Sequence, residues 1–485
     1  MAALANIDLT LGSDPRFGCA QSIEARNLAR YRLGLSVLAR HQVRAADRLE
    51  RLSRTADADL RPLMYDPVLR NAFENDLVAL ERQTGETGSL AGYLESGAAD
   101  ALDGAGPCER LARPRLRPWP EHAASWVWTD LDPSSDQERA LSSRLDELLA
   151  GTLSQNGSGA RVRPDADMLA GLRRGAELLA ALLPHAGAGV LPHVSLAGFA
   201  HGEMADGTLN SISGGDPLPS TLLLAPERLA DPWTAAETLF HEGLHLKLFD
   251  VLRTGSVTVD PGRSIPIPWR VRPWTLTRVL FAMHVYAHLL VFRRAAAEAG
   301  SDLRARYGEP PATEFVDRAT PGSEAAGSGA YTTSLERVTY LARQVSQVHG
   351  GMLTADGRRF VDWLIGAVSP LAPGLAAPGP TPEGEPAPPQ PAAEVDLNVR
   401  GYLRVQPVQV CPIPEQGQLV AFSPDPPRFQ WLNDHAWLIY ALCDGKDLSS
   451  LRDRYRQAAG SGADDRLDLG LTGLLSAGLI VPAGS

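Results

Sequence analysis

Apolar residues recur at intervals of three and four over residues 23–52, 67–82, 136–153 and 165–183. That spacing places them on one face of a helix, so four amphipathic helices are expected there. Shorter runs rich in Val, Leu and Ser at 160–164, 190–196 and 220–225 predict strands, with a turn at 211–215 ahead of the last. The stretch that follows opens with Asp231 and Pro232, a cap and a proline at the first helical position, and continues in small and apolar helix formers. A second helix, 276–289, is apolar nearly all round and must therefore be buried. Residues 370–395 are dense in Pro, Ala and Gly without any apolar period, which predicts an extended linker. Beyond it, three strands (399–405, 418–422, 429–433) and three helices (434–442, 448–458, 466–477) are expected. The predicted organisation is a mainly α domain with a small β-sheet over 1–369, the linker, and a winged-helix-like α+β domain over 396–485.

Composition adds little to this picture but excludes some functions. The chain has 485 residues, more than one hydrophobic core organises, with 44% hydrophobic and 21% charged residues as in ordinary globular proteins. A formal net charge of -11 argues against a nucleic-acid partner. The first residues lack the basic and apolar segments of a signal peptide, and the apolar run 279–292 is too short to span a bilayer, so a cytoplasmic protein without a membrane partner is expected. Four cysteines, Cys19, Cys108, Cys411 and Cys443, show no C-x-x-C spacing and are read as reduced thiols.

The chemistry lies in His241-Glu242-Gly243-Leu244-His245, an H-E-x-x-H motif. On a helix, residues four apart share a face, so His241 and His245 can grip one metal ion. Glu242, one position round, can meet a metal-bound water or hold a ligand, which makes it an acid/base candidate. A third ligand is needed. The metzincin extension would require Gly at 248 and His at 251, where Leu248 and Val251 stand. Glu298, Glu309, Glu314 and Glu324 fall in polar or Pro/Gly-rich surroundings. The buried helix instead offers His284 and His288 on one face, where unpartnered imidazoles would be costly, so His284 is the first choice and His288 the runner-up. Arg270 and Arg272 alternate in a Pro- and Trp-stiffened segment and could meet a carboxylate with two hydrogen bonds each. His185, His193, His201 and His349 are read as structural or exposed.

Residues 211–292, with S-x-S, the H-E-x-x-H helix, W-R-x-R-P and the His-bearing helix, resemble the H-E-x-x-H peptide-modification proteins of ribosomally made peptide natural products. The resemblance implies an iron(II)- and 2-oxoglutarate-dependent hydroxylase that acts at side-chain β-carbons of a precursor peptide. It implies His241, His245 and His284 as iron ligands, Glu242 as an acid/base or supporting group, and Arg272, with Arg270, as the 2-oxoglutarate carboxylate site. Spacing alone equally allows zinc, and the alternative is a zinc peptidase cleaving a precursor with Glu242 as general base. A third class is a peptide carrier with an idle metal site.

The C-terminal sequence L-N-x-x-A-W-x-I-x-x-L-x-D-G, from Leu432, with the later L-L-x-x-G-L-I, resembles the PqqD-like precursor-peptide recognition domains. That family binds a leader segment by strand addition, which would place it along Arg428, Phe429, Gln430, Trp431 and Leu432, opposite the helix from Arg466. Acidic residues around the expected helices (Asp444, Asp453, Asp464, Asp465, Asp468) disfavour a DNA-binding winged helix.

Overall fold

A computed structural model describes the chain apart from residues 1, 86–87, 96–111, 117–124, 129–135, 154–157, 205–206, 313–318, 373, 376–399, 407, 426, 460–463 and 484–485. The protein is mainly helical with small sheets, and it divides into two compact units. Residues 1–24, 61–71 and 96–382 form the first, and residues 25–60, 72–95 and 383–485 the second. The division does not follow chain order as the linker suggested, because two N-terminal segments belong with the C-terminal residues. Most of the expected linker, together with Cys108 and Glu314, lies outside the described residues.

In the first unit a sheet runs in the order Ala112–Leu116, Ser125–Trp128, Leu196–Met204, Thr221–Leu224 and Ser211–Ser213. Leu196–Met204 pairs parallel to Ser125–Trp128 and Thr221–Leu224 and antiparallel to Gly159–Val162, and Ser211–Ser213 closes the edge antiparallel to Thr221–Leu224. The central helix, Pro232–Leu252, begins as its sequence requires: the Asp231 side chain accepts from the Thr234 N–H at 2.8 Å and Pro232 takes the first turn. Its residues are buried on every side except one stripe, Thr234, His241, His245, Phe249 and Leu252, which follows the helical period. Gly243 lets the helix approach its neighbour closely, since a Cβ there would stand 2.9 Å from Val190 Cβ. The partner helix Leu276–Ala297 is long and apolar enough to cross a membrane, and 78% of its most apolar window is buried inside the protein.

Three expectations fail: in this unit Ser211–Ser213, expected within a turn, forms the edge strand and the strand expected at 190–196 starts late, and in the second unit one long helix is broken. Residues 188–193 form a 3-10 helix, and the strand starts only at Leu196. Pro192 has no N–H to give a ladder, while Val190 and Leu191 meet the burial demand as a tight turn against the central helix. The long helix expected over 23–52 ends at His41 and resumes at Ala46, because the Gln42 side chain binds the buried Asp76 carboxylate at 2.6 Å.

In the second unit Gln409–Ile413, Gln418–Pro424 and Pro427–Leu432 form an antiparallel meander with Pro427–Leu432 at one edge. Gly401–Arg404, expected in that sheet, pairs instead with Asp444–Asp447 and Ile480–Pro482. The strand the sequence reading missed, Gln409–Ile413, carries Pro412, which an edge strand tolerates. Leu419, Ala421 and Leu432 pack into one core with the helices Asp434–Leu442, Leu448–Ala459 and Asp464–Ser476. Val420 and Phe422 alternate to the opposite face and are buried as well. N-terminal residues meet this sheet: the Arg30 guanidinium lies 5.5 Å from the Phe429 ring, and Ser36 hydrogen-bonds Gln409 at 3.0 Å.

Candidate metal centre

His241 and His245 lie in the open stripe of the central helix, with their Nε2 atoms 3.3 Å apart. Two bonds of about 2.1 Å to one ion place their nitrogen atoms about 3 Å or slightly more apart, so the pair fits joint ligation of a metal. Burial pushes the His245 imidazole well below its usual pKa, with smaller contributions from His241 and Arg278. Neutral imidazole is the form that ligates. The ring of Phe281 stacks on His245 with centroids 5.9 Å apart, which fixes one wall of the stripe.

Glu242 is 5% exposed, and its Oε1 accepts a hydrogen bond from Ser211 Oγ at 2.6 Å. The same oxygen stands 4.0 Å from His241 Nε2. One turn earlier, the buried Glu237 carboxylate is gripped by Arg293 of the partner helix, which locks the two helices beside the histidines.

His284 and His288 are fully inside the protein, with rings 4.3 Å apart and set against Phe360 and Trp363. His288 Nδ1 donates to the His284 carbonyl at 2.8 Å, while His284 Nδ1 and His288 Nε2 are buried with no hydrogen-bond partner among the described residues. Burial lowers both imidazoles, His288 to about 3, and His284 is also within electrostatic reach of His245. Neither is arranged with His241 and His245 as a third ligand: among the described residues no three His, Cys, Asp or Glu side chains form a metal-holding group.

Arg270 lies 6.0 Å from the Trp274 ring. Arg270 donates to Thr320 Oγ1 at 3.3 Å, and Arg272 is exposed. Arg278, which sequence reasoning passed over, lies 4.8 Å over the Trp274 ring and is the arginine whose charge acts on His245. It sits one turn before Phe281, a helical spacing that offered a usable signal.

Other groups were also missed. Asp250, on the central helix, bonds His193 Nδ1 at 2.6 Å and Arg70 at 2.5 Å, and Arg70 reaches Ser220 Oγ at 2.7 Å. Arg70, together with the His193 bond, draws the Asp250 carboxyl down to about 2 against the opposing effect of burial. Lys247 is 1% exposed, and burial lowers its ammonium to about 8. In the second unit the five expected leader-binding residues, Arg428 to Leu432, do lie on an edge strand, and the Phe429 N–H donates to Glu81 at 3.4 Å. In sequence comparisons the chain matches no protein-family model and none of the curated proteins.

Proposed function

We propose that the protein is an iron(II)- and 2-oxoglutarate-dependent hydroxylase acting on side-chain β-carbons of a ribosomally made precursor peptide. The observation that carries this reading is the pairing of His241 and His245 at 3.3 Å in the one open stripe of an otherwise buried helix. Bound iron(II) would supply oxygen activation together with oxidative decarboxylation of 2-oxoglutarate.

The chain's own residues do the rest. His241 and His245 would hold the metal through their Nε2 atoms, while His284 stays packed against Phe360 and Trp363. Arg278, whose charge acts on His245, and Arg270, which shares the Trp274 ring with it, offer guanidinium groups for the far carboxylate of 2-oxoglutarate. Glu242 is held within reach of a proton at the site. Phe281 and the apolar wall around it keep water from the reacting carbon.

The second unit is read as a PqqD-like, winged-helix-like recognition domain whose edge strand, Pro427–Leu432, accepts the leader as an added strand. Tethering the leader raises the local concentration of the core peptide at the metal. Placement of the buried Glu242 beside the histidine pair also favours a second reading, a zinc peptidase with Glu242 as general base.

The test is anaerobic reconstitution with iron(II) or zinc, addition of 2-oxoglutarate and a candidate precursor, and mass measurement of the peptide. A gain of about one oxygen atom that needs iron and 2-oxoglutarate, and that His241→Ala abolishes, supports the hydroxylase. Peptide fragments formed with zinc alone overturn it in favour of the peptidase.

A further inference from the structure

We propose that Ser211 is a positioning residue that holds the Glu242 carboxylate off the metal position beside His241 and His245; the inference rests on the metal-centre reading above. Ser211 sits on the edge strand, in register with Leu224. Ile212 next to it is buried in the sheet's far core, so strand alternation turns Ser211 and Ser213 to the side of the central helix. Strand and helix run side by side in step: Ser211 meets Glu242, and a Cβ on Gly215 would stand 3.1 Å from the Phe249 ring. Two strand residues advance about 6.6 Å and one helical turn about 5.4 Å, so the S-x-S spacing follows the helix over the H-E-x-x-H turn.

The hydroxyl of Ser211 is the one hydrogen bond that the Glu242 side chain makes among the described residues. A buried carboxylate requires such a donor, and this one determines where the carboxylate points. With Oε1 at 4.0 Å from His241 Nε2, the carboxylate stands about 1 Å beyond the separation of two ligands on one ion. A side-chain rotation would close that gap. Glu242 would then fill a ligand position and cease to be available as an acid/base group. Ser211 prevents this, so Glu242 serves the site without binding the metal.

The test is Co(II) titration of the metal-free full chain against a competing chelator dye, with Co(II) alone as the probe. Ser211→Thr keeps a hydroxyl and should bind like the natural protein. Ser211→Ala, and Ser211→Val as the threonine isostere that controls for packing, should bind Co(II) roughly tenfold more tightly. Adding Glu242→Gln should cancel the gain. Unchanged affinity in both hydroxyl-free variants, or a gain that survives Glu242→Gln, overturns the inference. If His241→Ala loses Co(II) while the Ser211 variants match the natural protein, the metal reading stands and the Ser211 inference falls. If His241→Ala binds Co(II) as well as the natural protein, both fall.

Discussion

Replacing Asp250 by Ala should destabilise the first unit more than any loss of surface charge would. The carboxylate is buried and bonds Arg70 at 2.5 Å and His193 Nδ1 at 2.6 Å, and Arg70 is itself 2% exposed. Removing one member of a buried ion pair costs about 3–5 kcal/mol. Arg70 also donates to the Ser220 hydroxyl at 2.7 Å. Asp250→Asn keeps the shape and loses the charge; the drop of the carboxyl from 3.8 to about 2 corresponds to about 2 kcal/mol, a smaller loss. Because the folded value is depressed, this contribution is present above pH 3.8 and is lost as pH falls toward 2. A double replacement, Arg70→Met with Asp250→Leu, should recover most of the stability, since apolar residues can take the place of a buried pair. Urea denaturation gives the global loss. Hydrogen exchange on peptides from Pro232–Leu252 gives the local one, and the last two turns should open first. A loss under about 1 kcal/mol in Asp250→Ala would refute the reasoning, because it would mean that Arg70 finds water or another partner at no cost.

The remaining predictions follow the same logic. His288 is buried neutral with its pKa lowered from 6.5 to about 3, so the unfolded chain takes up a proton that the folded chain refuses. Stability should therefore decline as pH falls below 6.5, by about 2 kcal/mol from this residue at pH 5, and urea midpoints of His288→Leu should decline less. Gly243→Ala places a methyl 2.9 Å from Val190 and should cost about 1–3 kcal/mol by thermal melting, with Val190→Ala restoring part of it. A fragment of residues 396–485 alone should bind a hydrophobic dye and aggregate in sedimentation, because Val420 and Phe422, buried on the sheet face opposite the helices, would be bared. His245→Ala should lower the metal content of reconstituted protein by roughly tenfold or more, whereas His284→Ala, which removes a ring set against Phe360 and Trp363, should leave it unchanged, as measured by elemental analysis.

The legible parts of this molecule were those that a local pattern determines. Asp231 and Pro232 announced the start of the central helix, and H-E-x-x-H placed His241 and His245 on one face, because capping and the period of 3.6 are properties of neighbouring residues. The helices 434–442 and 448–459 were readable within a residue for the same reason. What local pattern could not convey was pairing at long range. Gln409–Ile413 displaced Gly401–Arg404 from the meander because strand partners are chosen by burial across the sheet, and a proline hid the edge strand from propensity. Asp250 with Arg70 joins residues 180 positions apart, and nothing near Asp250 signals a buried cation from so distant a segment.

The site itself divides along the same line. The metal pair is local, but the groups around it, Ser211 from a sheet edge, Arg278 and Phe281 from the partner helix, arrive through tertiary packing. A spacing argument chose Arg270 and Arg272, which share a strand face in sequence, and passed over Arg278, whose charge acts on His245 through space. The division also bears on the third ligand. His284 and His288 are i and i+4 on a buried helix just as His241 and His245 are on the central one, and the pattern could not say that the first pair faces Phe360 and Trp363 while the second faces an open stripe. The helical period puts two imidazoles on one face; the packing around that face decides whether they meet a metal or the core.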